Sequence, residues 1–200
     1  MSGKILIKNI ETDDDLNEII SIYEKCYDEE HFQSRANWEK LMETFIFKKI
    51  AVIENKIIGF LTMFEFKEFY YLEDICILPS FQNKGVGTKL LNIANEFSTN
   101  NKKNIALHCD TTDWLYKFYK KNGYFMWKKC LESGSKNLRY FMIRCVHSDK
   151  HTISEFTLKP IQKIKNWWFN NINWIFLNSK QKRKYCSDFI TMKLYDYGYL

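Results

Sequence analysis

The residues best suited to chemistry lie in one short stretch, 79–91, in which two glycines and two lysines follow an apolar run. Its centre reads Gln82-Asn83-Lys84-Gly85-Val86-Gly87-Thr88, and a helical pattern begins there. A glycine-rich turn between a strand and a helix presents backbone N–H groups and the positive end of the helix dipole, which together hold phosphate oxygens. The stretch therefore predicts a phosphate-binding corner.

Two common phosphate motifs do not account for this corner. A Walker A loop requires G-x-x-x-x-G-K-[ST], and no such run ends here. A dinucleotide fingerprint requires a third glycine where this chain has Leu90. What remains is the pattern Q-x-x-G-x-G, from Gln82 to Gly87.

A pair of acidic residues, Glu73 and Asp74, interrupts the apolar run "YYLEDICIL" just before the corner. Carboxylates inside an apolar strand are costly unless they have partners, so a functional role is favoured. Strand alternation places Glu73 on the same side as Ile75 and Ile77, and Asp74 on the opposite side. These two are the candidate general bases, and His108 ranks behind them because a lone strand histidine is more often a core residue.

The elements that must position these residues follow from periodicity and turn signals. The predicted order is β-α-α-β-β-β-α-β-α-β-β, a mixed sheet with helices on its faces, and so an α/β fold of the α+β mixed-sheet kind. The predicted strands are 4–10, two within 48–66 joined by an Asn55-Lys56 turn, 70–78, 104–109, 124–130 and 138–146. The predicted helices begin with Asp13–Asp15 as cap and first turn, cover 38–45 and 85–98, and end with 114–122, closed by Gly123.

Composition limits the classes of function. Of the net charge of +6, residues 148–200 carry +5, with nine Lys or Arg against four Asp or Glu, so residues 1–147 give no signal for nucleic-acid binding. The six cysteines lack C-x-x-C spacing, which favours reduced thiols and predicts no metal. The N-terminal residues lack signal-peptide features, and no apolar run reaches the roughly eighteen residues of a membrane span, so a cytoplasmic protein is expected.

The pattern changes near Ser148, which divides the chain into a main domain, 1–147, and a basic, aromatic-rich appendage, 148–200. Pro160 fits the first turn of an amphipathic helix, and the basic run 180–184 follows it. Docking of this helix onto protein is favoured because bulky aromatic side chains more often pack against protein. Peripheral contact of 160–184 with an anionic membrane is the alternative.

The Q-x-x-G-x-G pattern resembles the acetyl-CoA signature of the GNAT N-acetyltransferase superfamily. The order of elements over 4–147 resembles the GNAT core, and "FYKKNGYF", 118–125, is similar to its "lYeklGF" segment. The resemblance implies the GNAT acyl-CoA N-acyltransferase fold, acetyl-CoA as co-substrate, and direct transfer of acetyl to a primary amine on a small molecule.

The resemblance also implies a role for particular residues. Tyr119 would protonate the departing thiolate, while Glu73 and Asp74 would serve the amine. A bulged strand at 75–77 would pair with the pantetheine arm, and the following loop would wrap the pyrophosphate. The implied coenzyme-binding residues are Ile75, Cys76, Ile77, Gln82, Asn83, Lys84, Gly85, Val86, Gly87 and Thr88.

A narrower resemblance links 71–91 and 104–125 to glucosamine-6-phosphate N-acetyltransferases. It implies that Glu73 and Asp74 receive the sugar's amino group, that Lys103 and Arg144 contact its phosphate, and that the chain forms a homodimer. This chain departs from that family at Tyr71-Leu72 and at His108, where the family has a histidine with its neighbour and a glutamate. UDP-N-acetylglucosamine biosynthesis is the pathway this resemblance implies.

Two other functions remain open. A protein acetyltransferase acting on a lysine or an N-terminal amine would need an acidic or aromatic groove, which residues 23–32 could line. A non-catalytic binding module on a GNAT scaffold is the other, and the intact Gln82, Gly85, Gly87 and Tyr119 argue against it.

Overall fold

A computed structural model of the 200-residue chain describes residues 3–29, 32–65, 69–131 and 138–146. The strands are β1 Leu6–Asn9, β2 Phe47–Ile53, β3 Lys56–Glu65, β4 Phe69–Ile77, β5 Asn104–Asp110, β6 Phe125–Leu131 and β7 Leu138–Arg144. The helices are α1 Asp13–Cys26, α2 Arg35–Thr44, α3 Val86–Asn100 and α4 Asp113–Lys121. This order confirms the predicted one, while the expected appendage, 148–200, lies outside the described residues.

The first of two compact units comprises Met1–Leu107 and Lys121–Gly123. Its strands lie in the order β1-β2-β3-β4-β5, with antiparallel neighbours up to β4 and β5 parallel to β4. The α1 residues Leu16, Ile19, Ile22 and Tyr23 pack with Trp38 of α2 on the sheet face that carries Phe60 and Cys76. The ring of Phe97 on α3 lies 4.9 Å from that of Phe47, on the opposite face. This sheet has helices on both faces, and β4 lies in its interior, between β3 and β5.

The N-cap of the first helix is Thr12, one residue before the predicted cap at Asp13. Thr12 accepts a hydrogen bond from the N–H of Asp15, and the Asp15 carboxylate accepts from the N–H groups of Glu11 and Thr12. This reciprocal arrangement satisfies N–H groups that a helix start leaves without partners. Asp13–Asp15 still supply the negative charge of the first turn.

The turn between β2 and β3 lies one residue earlier than the predicted Asn55-Lys56. Its central residues are Glu54 and Asn55, with φ of 49° and 63°, and Ile53 pairs with Lys56. A two-residue hairpin turn of this kind needs positive φ at both central positions, and asparagine tolerates that conformation well. The prediction gave Asn55 the first central position, whereas it occupies the second.

The second unit comprises His108–Lys120 and Tyr124–Leu200, of which residues 108–120, 124–131 and 138–146 are described. Residues 108–110, the end of β5, belong to this unit, and β6 and β7 form an antiparallel pair within it. The chain passes from α4 to β6 through Gly123, whose φ of 88° supports its predicted role in closing the helix. No described helix has the length and apolar character needed to cross a lipid bilayer.

Candidate functional site

A β-bulge interrupts β4 at Glu73. On β3, Thr62 and Met63 are consecutive, but their β4 partners are Asp74 and Leu72, so β4 carries one extra residue. The bulge was expected at 75–77, and that expectation was wrong, because those residues keep an unbroken register with β3. Bulges re-aim side chains and increase the local twist of a strand. Here the bulge falls on the acidic pair itself.

The backbone that follows the bulge presents hydrogen-bonding groups on the side away from β3. The N–H of Leu78 donates to the carbonyl of Ile58 at 2.9 Å, and antiparallel pairs alternate between bonded and non-bonded positions. In this register Cys76 and Asp74 therefore bond to β3, while the N–H and C=O groups of Ile75 and Ile77 point away from it.

The register between β4 and its other neighbour, β5, runs from Phe69↔Asn104 to Tyr71↔Ala106, before the bulge. The carbonyl of Ile77 accepts hydrogen bonds from Gln82 Nε2 at 3.0 Å and from the thiol of Cys26 at 3.5 Å. The N–H groups of Ile75 and Ile77 and the carbonyl of Ile75 are thus placed to pair with an extended ligand.

Gly59 on β3 allows the close approach of β3 to this part of β4. A Cβ atom at Gly59 would lie 2.6 Å from the carbonyl oxygen of Cys76 and 2.6 Å from Cδ1 of Ile77. The first of these is a backbone atom, which cannot rotate away. Sequence reasoning missed this residue, although a glycine inside an otherwise apolar strand is a signal of close backbone approach.

A short 3-10 turn, Pro79–Phe81, follows β4, and the glycine-rich corner leads from this turn into α3. Gly85 is the N-cap of α3 with φ of 79°, and Asn83 also has positive φ, 60°. The N-cap makes no side-chain hydrogen bond to the helix, as expected of glycine. A Cβ at Gly85 would meet nothing within 4 Å, so the φ angle, and not lack of space, favours glycine.

This corner fits a phosphate group. The first turn of α3 directs its N–H groups outward without a capping side chain, at the positive end of the helix dipole. Lys84 adds a cation, whose Nζ donates to the carbonyl of Ser80 at 2.8 Å and lies 5.3 Å from the centre of the Phe81 ring. The predicted phosphate corner and the β4 edge therefore belong to one continuous segment, 74–88.

The two acidic residues of the bulge have contrasting surroundings. Asp74 is buried and pairs in register with Thr62, whose hydroxyl donates to its carboxylate at 3.5 Å, whereas Glu73 is exposed. Burial, reinforced by the negative charge of Glu73, raises the pKa of Asp74 to about 8, against the opposing effect of the Thr62 hydroxyl. Asp74 is therefore largely protonated at neutral pH and can exchange a proton near pH 8.

In the second unit, Tyr119 is a buried residue of α4. Its ring lies 5.7 Å from that of Tyr124, and its carbonyl accepts a hydrogen bond from the Tyr124 N–H at 3.1 Å. Burial raises the pKa of Tyr124, and the nearby Arg144 guanidinium opposes that rise. His108 is half-buried, with its ring 4.7 Å from that of Phe141. The roles proposed for Tyr119, His108 and Arg144 stay predictions.

Lys103, predicted to contact a sugar phosphate, lies just before β5. Its Nζ is 2.5 Å from Oε1 of Glu65 and 5.3 Å from the centre of the Tyr70 ring. Its neighbour Asn104 pairs with Phe69, five residues before Asp74, which at about 3.3 Å of rise per residue puts roughly 16 Å of strand between them. These two contacts of the Lys103 side chain are with the end of β3 and the beginning of β4.

Comparison with known proteins decides the family. Residues 13–124, more than half of the chain, match the family described as "Acetyltransferase (GNAT) family". This chain belongs to the GNAT acetyltransferase family. The fold predicted from the sequence is confirmed, and the chain is an N-acetyltransferase. No curated protein matches the sequence.

Solved structures of GNAT enzymes share the fold at low sequence identity. The ribosomal-protein-S18-alanine N-acetyltransferase from Escherichia coli is 14% identical with a TM-score of 0.64, covering 73% of this chain and 96% of that one. Arabidopsis thaliana Naa50, in complex with the bisubstrate analogue CoA-Ac-MVNAL, is 19% identical with a TM-score of 0.61, covering 70% and 97%. PaiA N-acetyltransferase from Thermoplasma acidophilum, in complex with coenzyme A, is 19% identical with a TM-score of 0.58, covering 71% and 99%. The glucosamine-6-phosphate acceptor stays a prediction.

Proposed function

We propose that this GNAT enzyme binds acetyl-CoA along segment 74–88 and transfers the acetyl group directly to a primary amine. The observation that carries the proposal is the outward-facing backbone of Ile75 and Ile77, followed immediately by the Gly85 cap of α3. An extended, amide-containing chain can pair with such a strand edge, as a peptide adds to a sheet. The pyrophosphate would then lie at the N-terminus of α3.

Acetyl transfer requires a neutral amine, and the bulge supplies groups that can produce one. Glu73 is exposed and offers its carboxylate to an incoming ammonium group. Asp74, with its pKa raised to about 8, is matched to accept a proton from that ammonium group near neutral pH, directly or through a water molecule. Because the base must be ionised, the rate should rise with pH up to about 8.

The remaining charges of the reaction fall on the thioester oxygen and the thiolate. The outward N–H groups of Ile75 and Ile77 are donors that could stabilise the negative charge on that oxygen as the tetrahedral intermediate forms. The family resemblance assigns protonation of the thiolate to Tyr119. The amine nitrogen forms the new bond to the acetyl carbon while the bond from carbon to sulfur breaks.

The acceptor is the finer part of the proposal. The resemblance over 71–91 to glucosamine-6-phosphate enzymes supports an amino sugar phosphate, with a homodimer as its consequence. The ion pair of Lys103 with Glu65, about 16 Å of strand from Asp74, argues against Lys103 as the phosphate ligand of a small sugar whose amine lies at the bulge.

A peptide amine is the second candidate. The end of α1 presents an exposed aromatic ring, Tyr27, followed by exposed Asp28 and Glu29. Acidic side chains beside an aromatic ring suit a cationic N-terminal or lysine amine.

The test is release of free thiol from acetyl-CoA with four acceptors compared: glucosamine 6-phosphate, glucosamine, a UDP-amino sugar and a lysine-containing peptide with a free N-terminus. Release with the sugar phosphate alone would support the narrower family, and release with the peptide alone would support the second candidate. Release with none of them, together with no detectable binding of acetyl-CoA, would contradict the proposed function. Mass spectrometry of the acceptor identifies the acetylated nitrogen.

A further inference from the structure

Two thiols that the proposed reaction does not use lie beside each other in the first unit. Cys26 is the last residue of α1 and is half-buried, whereas Cys76 lies in β4 and is buried. Cys26 packs against the core cluster that contains Cys76, each thiol shifts the pKa of the other, and the Cys26 thiol donates to the carbonyl oxygen of Ile77 at 3.5 Å. The pair therefore joins the end of α1 to the strand that is proposed to bind the coenzyme.

The two sulfur atoms differ in acidity. Interaction with the Cys76 side chain is the main reason that the pKa of Cys26 lies below its ordinary value, with burial opposing this and the hydrogen bond to the Ile77 carbonyl adding to it. Burial first, then the Cys26 contact and the charge of Asp74, raise the pKa of Cys76. Cys26 is thus the member that forms a thiolate, and the thiolate is the reactive form of cysteine.

We propose that Cys26 and Cys76 are a site of oxidative modification, in which a peroxide converts the pair to a disulfide between α1 and β4. The Cys26 thiolate attacks one peroxide oxygen, the O–O bond breaks, and the hydroxide released takes up a proton to become water. The sulfur of Cys76 then attacks the sulfenic acid at Cys26, its S–O bond breaks, and a second water leaves with the Cys76 proton. Two thiols are oxidised to one disulfide, and one peroxide is reduced to two waters.

A disulfide bond is about 2.05 Å long, so the sulfur atoms of Cys26 and Cys76 must approach each other to that distance. The bond would tie β4 at Cys76 to the end of α1, where the Cys26 thiol contacts the Ile77 carbonyl. If the proposed function is correct, oxidation should weaken acetyl-CoA binding, whereas formation of the bond itself does not depend on that function.

The bond can be detected by peptide mass spectrometry of the full-length chain. The chain is treated with hydrogen peroxide, alkylated and digested with trypsin without reduction. Cleavage after Lys25, Arg35, Lys67 and Lys84 yields peptides 26–35 and 68–84, each with a single cysteine. We expect these two peptides to be linked, with the loss of two hydrogen atoms, and to separate on treatment with dithiothreitol.

Two variants serve as controls. Cys26→Ser keeps a hydroxyl that can donate to the Ile77 carbonyl, and it should form no link. Cys145→Ser removes another partly buried thiol, one whose pKa is raised chiefly by burial, and it should form the link as the wild type does. Oxidation of Cys26 to sulfinic acid without a link, or a disulfide from Cys26 to a cysteine other than Cys76, would overturn the proposal.

Calorimetric titration of acetyl-CoA into the oxidised and reduced protein gives a second, separate result. We expect oxidation to lower the affinity about tenfold or more in the wild type and in Cys145→Ser, and not in Cys26→Ser. If the disulfide forms and the affinity for acetyl-CoA does not change, the modification site is supported, but its effect on coenzyme binding is contradicted. If the reduced protein binds no acetyl-CoA, the proposed function fails while the mass result still stands.

Discussion

The buried carboxyl of Asp74 should make the stability of this protein depend on pH in an unusual direction. Its pKa rises from an ordinary 3.8 to about 8, so the folded chain holds a proton that the unfolded chain releases. The free energy of unfolding should therefore fall as pH rises between these two values, and level off above about pH 8. Paired carboxylates, whose pKa values are lowered, have the opposite effect.

Asp74→Asn should remove this dependence because the amide does not titrate and can keep the contact with Thr62. At about 1.4 kcal/mol per pKa unit, the rise of the Asp74 pKa from 3.8 to about 8 means that ionised Asp74 destabilises the fold by on the order of 6 kcal/mol above pH 8. Water penetration and relaxation of the fold would reduce that cost, so a difference of about 2 to 5 kcal/mol is expected. The variant should be the more stable protein at high pH, with little difference near pH 4.

Urea unfolding at four pH values, about 4.5, 6, 7.5 and 9, measures this difference directly. The matched control is Glu73→Gln, which removes the same charge from the adjacent, exposed residue of the bulge. This control should change stability much less, and only through its smaller effect on Asp74. If the stability of Asp74→Asn relative to wild type is the same at pH 4.5 and pH 9, Asp74 does not carry a raised pKa, and its role as the base loses its physical ground.

Three further substitutions test other parts of the site. Tyr119→Phe should lower kcat by about 10²-fold if the phenol protonates the thiolate, and a rate within about twofold of wild type would assign that proton to another group. Gly59→Ala should destabilise the fold by about 2 kcal/mol and weaken acetyl-CoA binding, because its Cβ would meet the Cys76 carbonyl at 2.6 Å; unchanged urea midpoint and affinity would refute the close approach. Lys103→Met should keep the KM for the acceptor within about threefold of the wild-type value, since Lys103 pairs with Glu65. A rise in KM of about 10-fold or more, seen only with glucosamine 6-phosphate, would show that Lys103 binds the phosphate after all.

Features that depend on local sequence could be predicted. The order of strands and helices follows from hydrophobic periodicity, and the corner at Gly85 follows from glycine before a helix. The position of the turn between β2 and β3 was predicted one residue too late, because asparagine suits either central position of a two-residue turn and the sequence does not distinguish them.

Features that depend on pairing between distant segments could not be predicted. The bulge at Glu73 is a one-residue change of register against β3, and no property of β4 alone specifies it. The partners of Asp74, Cys76 and Lys103 are Thr62, Cys26 and Glu65, between 12 and 50 residues away in sequence. The candidate bases could be identified as acidic residues inside an apolar strand. The difference in their burial, and the raised pKa of Asp74, became visible only in the folded structure.

The central claim is acetyl transfer from acetyl-CoA to a primary amine, and the most direct measurement is thiol release coupled to mass analysis of the acceptor. With the right amine, we predict one acetylated nitrogen for each thiol released, at a rate that rises with pH up to about 8, as ionisation of Asp74 requires. Thiol release without an acetylated amine would mean hydrolysis of the thioester, and would contradict the assignment of this site to amine acetylation.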